Sequence, residues 1–173
     1  MAWWDWEDWE WAIDWMALNG INMPLAVTGQ ESVWLEVGRS FGLTDAELDE
    51  FFVGTAYLPF GWMGCIDGWG GPLSREWIKQ HAALGKRILQ RERELGMKPV
   101  LQGFTGHVPA ALKAKFPEAK FQQLPSWCDF PGTTFVDPND PLFVKFGKAF
   151  IEEQTKQFGT NHLYASDTFI EMS

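Results

Sequence analysis

Cysteine, histidine and basic residues are scarce in this chain, and each scarcity removes a class of function. There are two cysteines, Cys65 and Cys128, and three histidines, His81, His107 and His162, all scattered. No metal-like spacing connects them, so neither a zinc site nor any other cofactor is expected. Lys and Arg number 14 against 23 Asp and Glu, a formal net charge of −9. Nucleic-acid binding wants basic patches, so that class is set aside too. Apolar runs long enough to cross a membrane, about 18 residues, are missing. The N-terminus is Trp-rich and acidic rather than basic and then apolar, so no signal peptide is visible. Internal repeats, low-complexity segments and linkers are also lacking.

Aromatic residues are abundant by contrast: 11 Trp and 14 Phe, with only 2 Tyr. Tryptophan buries a large area and also stacks on sugar faces, so the count suits both a core and a carbohydrate site. The 173 residues are enough for one domain with a real core. A complete (β/α)8 barrel needs about 250 residues and does not fit.

Residues 3–18 predict a helix ending at Asn19-Gly20. Trp6, Trp9, Ile13 and Met16 make one apolar stripe; Trp4, Trp11, Trp15 and Leu18 make a second. A helix apolar on two faces is expected to pack on two sides. Residues 21–27 predict a buried strand that Pro24 interrupts. Gln30 and Glu31 then stand at its C-terminal end, where they either bond a polar ligand or begin the helix at 31–41. Thr44 and Glu47 form a capping box for a further short helix. Residues 54–71 are a Gly-rich aromatic loop, either a functional segment or a lid packed on the core.

A long helix is expected over 74–95, its charged run Arg91-Glu92-Arg93-Glu94 forming a solvated face. Residues 98–104 read as a strand, with His107 in the loop that follows it. That histidine is placed for a site or for a structural role. A short helix over 109–115 follows, then an irregular stretch over 121–135 containing Trp127. A helix over 142–158 leads to a final strand at 161–165. Strands alternating with helices imply a parallel sheet and an α/β fold. Asp167 and Glu171 follow the last strand, where such folds build active sites. Each is a glycosidase-type acid or a solvated loop acid on this pattern alone.

Several stretches carry a resemblance: Trp3-Trp-Asp-Trp, Ile13-Asp-Trp-Met-Ala-Leu-Asn-Gly-Ile-Asn22, Thr28-Gly-Gln-Glu31, Thr105-Gly-His-Val-Pro109 and Ser166-Asp-Thr-Phe-Ile-Glu-Met172. In order and over essentially the whole chain, they resemble the family 89 glycoside hydrolases, the α-N-acetylglucosaminidases. The resemblance implies that residues 1–173 are a single domain, the first half of a TIM-like (β/α)8 catalytic barrel, beginning after the first strand and ending at the fourth. It implies hydrolysis of terminal α-linked N-acetylglucosamine, as in heparan sulfate-type glycans, and a lysosomal or secreted location.

By the same resemblance Glu171 is the general acid/base, and Phe60, Met63 and Trp127 are substrate-binding residues. Asp167 is then structural, orienting the strand end. The residue before the glutamate is Asn in the family and Ile170 here, which has no side-chain hydrogen bond to offer a sugar. A retaining glycosidase needs two carboxyl groups about 5–5.5 Å apart. In the family the nucleophile comes from a later strand, beyond Ser173, so this stretch alone is expected to be inactive. The competing expectation is a non-catalytic relic or sugar-binding half-barrel. Such a half-barrel exposes sheet edges and an apolar face, and is expected to be poorly stable or to self-associate.

Overall fold

The computed structural model describes residues 2–167. Seven α-helices occur among them: α1 (Trp6–Leu18), α2 (Glu31–Ser40), α3 (Asp45–Asp49), α4 (Leu58–Trp62), α5 (Arg75–Glu94), α6 (Leu112–Lys115) and α7 (Pro141–Phe158). The strands are short: β1 (Leu101–Gln102), β2 (Phe121–Gln123), β3 (Thr134–Val136) and β4 (Tyr164–Ala165). β1 pairs in parallel with β4. On the other side of the same stretch, residues 22–26 run parallel to residues 98–100. Three parallel segments in sequence order, with helices between them, are the layout of consecutive barrel units.

The expected strand at 21–27 is reduced to a single bridge, Leu25 to Val100. Lys98 N donates to Asn22 O at 2.8 Å, and Val100 N to Pro24 O at 2.9 Å. In a parallel ladder the N–H of residue 24 would donate to the carbonyl of residue 98. Proline has no N–H, so the ladder breaks there.

Capping decides where α1 begins. The Asp5 side chain accepts from Glu7 N at 2.9 Å and Asp8 N at 3.3 Å, while Asp8 Oδ2 accepts from Asp5 N. This capping box starts the helix at Trp6, three residues later than its apolar pattern suggests. Its Trp6, Trp9, Ile13 and Met16 stripe packs on Leu84, Ile88 and Met97. Arg87 sits 3.8 Å above the Trp6 ring, and Arg91 pairs with Asp14 at 2.8 Å. The second stripe does not pack as expected. Trp11 is 69% exposed, Trp15 49% and Leu18 87%, because it is the first stripe that α5 packs against.

The main core lies between α2, α7 and the strands. Trp34 of α2 is its hub, with ring centroids 4.7 Å from Phe150, 5.3 Å from Phe51 and 6.0 Å from Phe146. The capping box at Thr44 and Glu47 forms as the sequence predicts. The stretch 121–135 is not irregular: β2 and β3 make an antiparallel hairpin, registered Phe121 to Val136 through Gln123 to Thr134. The loop 54–71 also contains order, since α4 lies within it.

Candidate active site

The C-terminal ends of residues 22–26 and of β1 border a cavity of about 620 Å³. Leu25, Gln30, Glu31, Trp62, Gln102 and His107 are among the residues in its wall. Active sites of parallel α/β folds sit at this end because the loops after the strands converge there.

The loop after residues 22–26 is pressed tightly onto α5. Gly29 has φ +87°, and a Cβ on it would lie 2.7 Å from His81 O. Only glycine takes both that dihedral and that approach without strain. The tight turn delivers Gln30 and Glu31 to the cavity. Gln30 is 3% exposed. Its Oε1 accepts from Gln154 Nε2 at 2.8 Å, and the same Nε2 donates to Gln102 O at 3.0 Å. Gln30 Nε2 is buried with no hydrogen-bond partner among the described residues. Glu31 is the first residue of α2, and its Oε2 is likewise sealed from solvent and unpartnered among them. Burial raises the Glu31 carboxyl from 4.5 to about 7, opposed in part by the bond from its own backbone N–H. Of the two alternatives drawn from the sequence, the helix start holds: Glu31 is the first residue of α2, in the wall of the cavity.

Phe60, Met63 and Trp127 come together, outside the wall of that cavity. All three are half-buried on one cluster formed by Val53, Cys65 and Ile66. The Phe60 and Trp127 rings lie 5.6 Å apart at 41°. Phe60 is on α4 and Met63 directly follows it, whereas Trp127 comes from the β2–β3 hairpin. Trp127 and Phe130 exchange backbone hydrogen bonds of 3.1 and 2.9 Å around a two-residue turn. Cys128 (φ 48°) and Asp129 (φ 66°) both take left-handed backbone there, the type I′ pattern that suits hairpin twist. Thr133 Oγ1 donates to Gly64 O at 2.7 Å and ties the hairpin to the loop that carries Phe60.

His107 has a structural partner. Its Nε2 lies 2.8 Å from Asp67 Oδ1, and its ring packs 5.0 Å from Phe51 and 5.2 Å from Phe135. It joins the end of β1 to the loop 54–71 and also lines the cavity. Asp167 lies two residues past β4 and is half-buried. Ile170 and Glu171 lie outside the described residues. Among those described, no group of three or more His, Cys, Asp or Glu could hold a metal ion, and no helix is long and apolar enough to cross a membrane.

Two cavity residues escaped the sequence reading. Trp62 ends α4, and its Nε1 is buried without a partner among the described residues. Its position between Phe60 and Met63 was the available signal. Glu92 was assigned to a solvated face but is 1% exposed, with Oε2 unpartnered among the described residues. Burial raises its carboxyl to about 7 against the lowering effect of Arg93. Its spacing of four from Ile88 and three from Leu89 puts it on their buried stripe.

Comparison with known proteins agrees with this geometry. The chain is 46% identical to human alpha-N-acetylglucosaminidase over 99% of its own length and 24% of the relative's. A family 89 glycoside hydrolase from Clostridium perfringens, solved in complex with 2-acetamido-1,2-dideoxynojirmycin, matches 99% of this chain with a TM-score of 0.92 at 37% identity. The same organism's CpGH89, in a variant with two glutamate-to-glutamine changes and in complex with its substrate GlcNAc-alpha-1,4-galactose, matches all of it with a TM-score of 0.93 at 36% identity. The chain spans only 20% of each solved structure. The fold is thus part of a (β/α)8 barrel. A family model described as alpha-N-acetylglucosaminidase (NAGLU) tim-barrel domain matches residues 1–173, and the chain belongs to that family.

Proposed function

We propose that these residues serve a retaining glycoside hydrolase that releases terminal α-linked N-acetylglucosamine from glycans, and that they form one unit of its catalytic barrel. The observation that carries this reading is the family match over all 173 residues. It is supported by the human relative's activity and by the N-acetylglucosaminyl substrate bound to the Clostridium perfringens enzyme. The finer reading is a heparan sulfate-type substrate and a lysosomal or secreted location.

In this mechanism Glu171, protonated, gives its proton to the glycosidic oxygen as the bond to the anomeric carbon breaks. A second carboxylate attacks that carbon and forms a covalent glycosyl intermediate. Glu171, now ionised, takes a proton from water, which displaces the second carboxylate and restores both groups. The relatives are four to five times longer than the matched stretch, and the second carboxylate is assigned to sequence outside it. Phe60, Met63 and Trp127 would hold the sugar, because an aromatic pair beside a thioether offers apolar surface to a pyranose ring.

The test is release of N-acetylglucosamine from GlcNAc-alpha-1,4-galactose by the full natural protein. Glu171→Gln should lower kcat by about 10²–10⁴-fold, the typical worth of a general acid/base. Full activity in that variant would refute the assignment. The second reading is a non-catalytic sugar-binding protein, favoured by Ile170 at the position before Glu171. Sugar binding without turnover in the full protein would establish it instead.

A further inference from the structure

We propose that His107 and Asp67 are positioning residues: their hydrogen bond fixes where Phe60 and Met63 stand relative to Trp127, and so sets how tightly those three residues hold a sugar. The inference rests on the glycosidase reading, which assigns the three to the substrate.

The two ends of this bond belong to different parts of the fold. His107 is 3% exposed and rooted beside the main core, its ring 5.0 Å from Phe51 and 6.5 Å from Trp34. Residues 106–108 also run antiparallel to β3: Val108 N donates to Thr134 O at 3.0 Å, and Val136 N to Gly106 O at 2.8 Å. Asp67 belongs to the loop 54–71, which carries Phe60 and Met63. Its Oδ1 lies 2.8 Å from His107 Nε2. A carboxylate accepts, so Nε2 carries the hydrogen and donates it.

Three residues earlier the same loop is tied again, where Gly64 O accepts from Thr133 Oγ1 at 2.7 Å. Gly64 has φ +77°, and a Cβ on it would lie 2.9 Å from the Phe135 ring and 3.3 Å from that of His107. The loop is thus threaded between the histidine and the hairpin that brings Trp127. Gly64 and Asp67 bracket Cys65 and Ile66. On these two and Val53 pack Phe60, Met63 and Trp127.

Apolar burial alone does not fix this arrangement. It is non-directional, and the buried cluster under the loop is three residues set apart from the main core. A charge-assisted hydrogen bond is directional and stronger than a neutral one. Without it the loop samples places in which Phe60 and Met63 stand away from Trp127. Affinity then falls with the fraction of molecules still in register. Loss of such contacts weakens ground state and transition state alike, so it falls on KM rather than on kcat.

The test uses the full natural protein with Asp67→Ala and Asp67→Asn, since asparagine keeps an oxygen that accepts from the Nε2–H. Calorimetry with 2-acetamido-1,2-dideoxynojirmycin gives Kd, kinetics on GlcNAc-alpha-1,4-galactose gives KM and kcat, and a thermal melt gives Tm. Alkylation of Cys65, fully buried in the cluster under the loop, reports loop opening and is read by mass spectrometry on the peptide that carries it. Asp67→Ala should weaken Kd and raise KM by about tenfold, with kcat within about threefold, and should speed Cys65 alkylation by a similar tenfold. Asp67→Asn should recover most of each loss. A merely structural tie would lower Tm and leave Kd unchanged. An Asp67→Ala Kd within about twofold of wild type therefore overturns the inference, whatever happens to Tm or to Cys65. Equal losses in Asp67→Ala and Asp67→Asn overturn it too. If Asp67→Ala fails to fold, Asp67→Ser, polar but too short to reach the ring, takes its place under the same limits. Wild type that neither binds the iminosugar nor turns over the disaccharide sinks the glycosidase reading and this inference with it. Binding without turnover sinks only the hydrolase reading, and Kd still decides the role of the pair. Turnover by wild type with an unaltered Asp67→Ala Kd sinks the positioning role alone.

Discussion

Glu92 should make the protein less stable as the pH rises from about 5 to 7.5. It is 1% exposed on α5, in the wall of the cavity, and burial raises its carboxyl from 4.5 to about 7. The folded state therefore holds this proton more tightly than the unfolded chain does. Where both states are protonated, below 4.5, the group is neutral in its effect on stability. Between 4.5 and about 7 the unfolded chain loses the proton first, and unfolding becomes progressively easier. Above about 7 both states are ionised and the full cost is in place. At ~1.4 kcal/mol per pH unit, a difference of about 2.5 units is worth at most about 3 kcal/mol.

Glu92→Gln tests this, because glutamine keeps the shape and cannot ionise. Unfolding of the full natural protein should be followed in urea at pH 5 and pH 7.5, reading the transition of this part of the chain. The variant should match wild type within about 1 kcal/mol at pH 5 and exceed it by about 2–3 kcal/mol at pH 7.5. Wild type and variant losing stability in parallel between the two values would refute the reasoning. Glu31 titrates in the same window and for the same cause, so the variant is expected to retain part of the pH dependence.

Phe150, fully buried with its ring 4.7 Å from that of Trp34, should cost about 3–5 kcal/mol when replaced by alanine, read as a fall in the urea midpoint. The hairpin turn at Cys128 and Asp129 offers a gain instead. Replacing the pair by Asn-Gly relieves two residues at positive φ and should raise Tm by a few degrees, about 1 kcal/mol, with KM unchanged because Trp127 keeps its place.

Helices were more legible in the sequence than strands, and the reason is period. α5 and α7 announce themselves through Ser74 and Asp140 caps, long amphipathic patterns and the glycines at 96 and 159. The β2–β3 hairpin has three-residue strands, one of them Phe-Gln-Gln, too short and too polar for an alternation to register. Its turn hides as well, since Cys-Asp is not a usual type I′ pair. The aromatic contacts among Phe60, Met63 and Trp127 were reached through family motifs. Nothing in the spacing of residues more than 60 positions apart announces that they meet. Glu92 was misplaced because a charged run hides which of its members falls on the apolar stripe. The partners of α1's second stripe were inferred from hydrophobicity alone, which tells that a face is apolar but not what covers it.

Two buried acids of this chain place their demands on the same side of neutrality. Glu31 and Glu92 are both raised to about 7 by burial, so both favour the folded state most when protonated. A glycosidase general acid must also begin the reaction protonated, and on the proposed function that acid is Glu171. Mildly acidic solution therefore suits Glu31 and Glu92, and neutral solution ionises them in part. A barrel meant to work at neutral pH would gain by replacing Glu92 with an apolar residue, since an unpaired buried carboxylate stabilises nothing there. Its presence on the buried face of α5 makes this part of the chain most stable where that carboxyl is neutral.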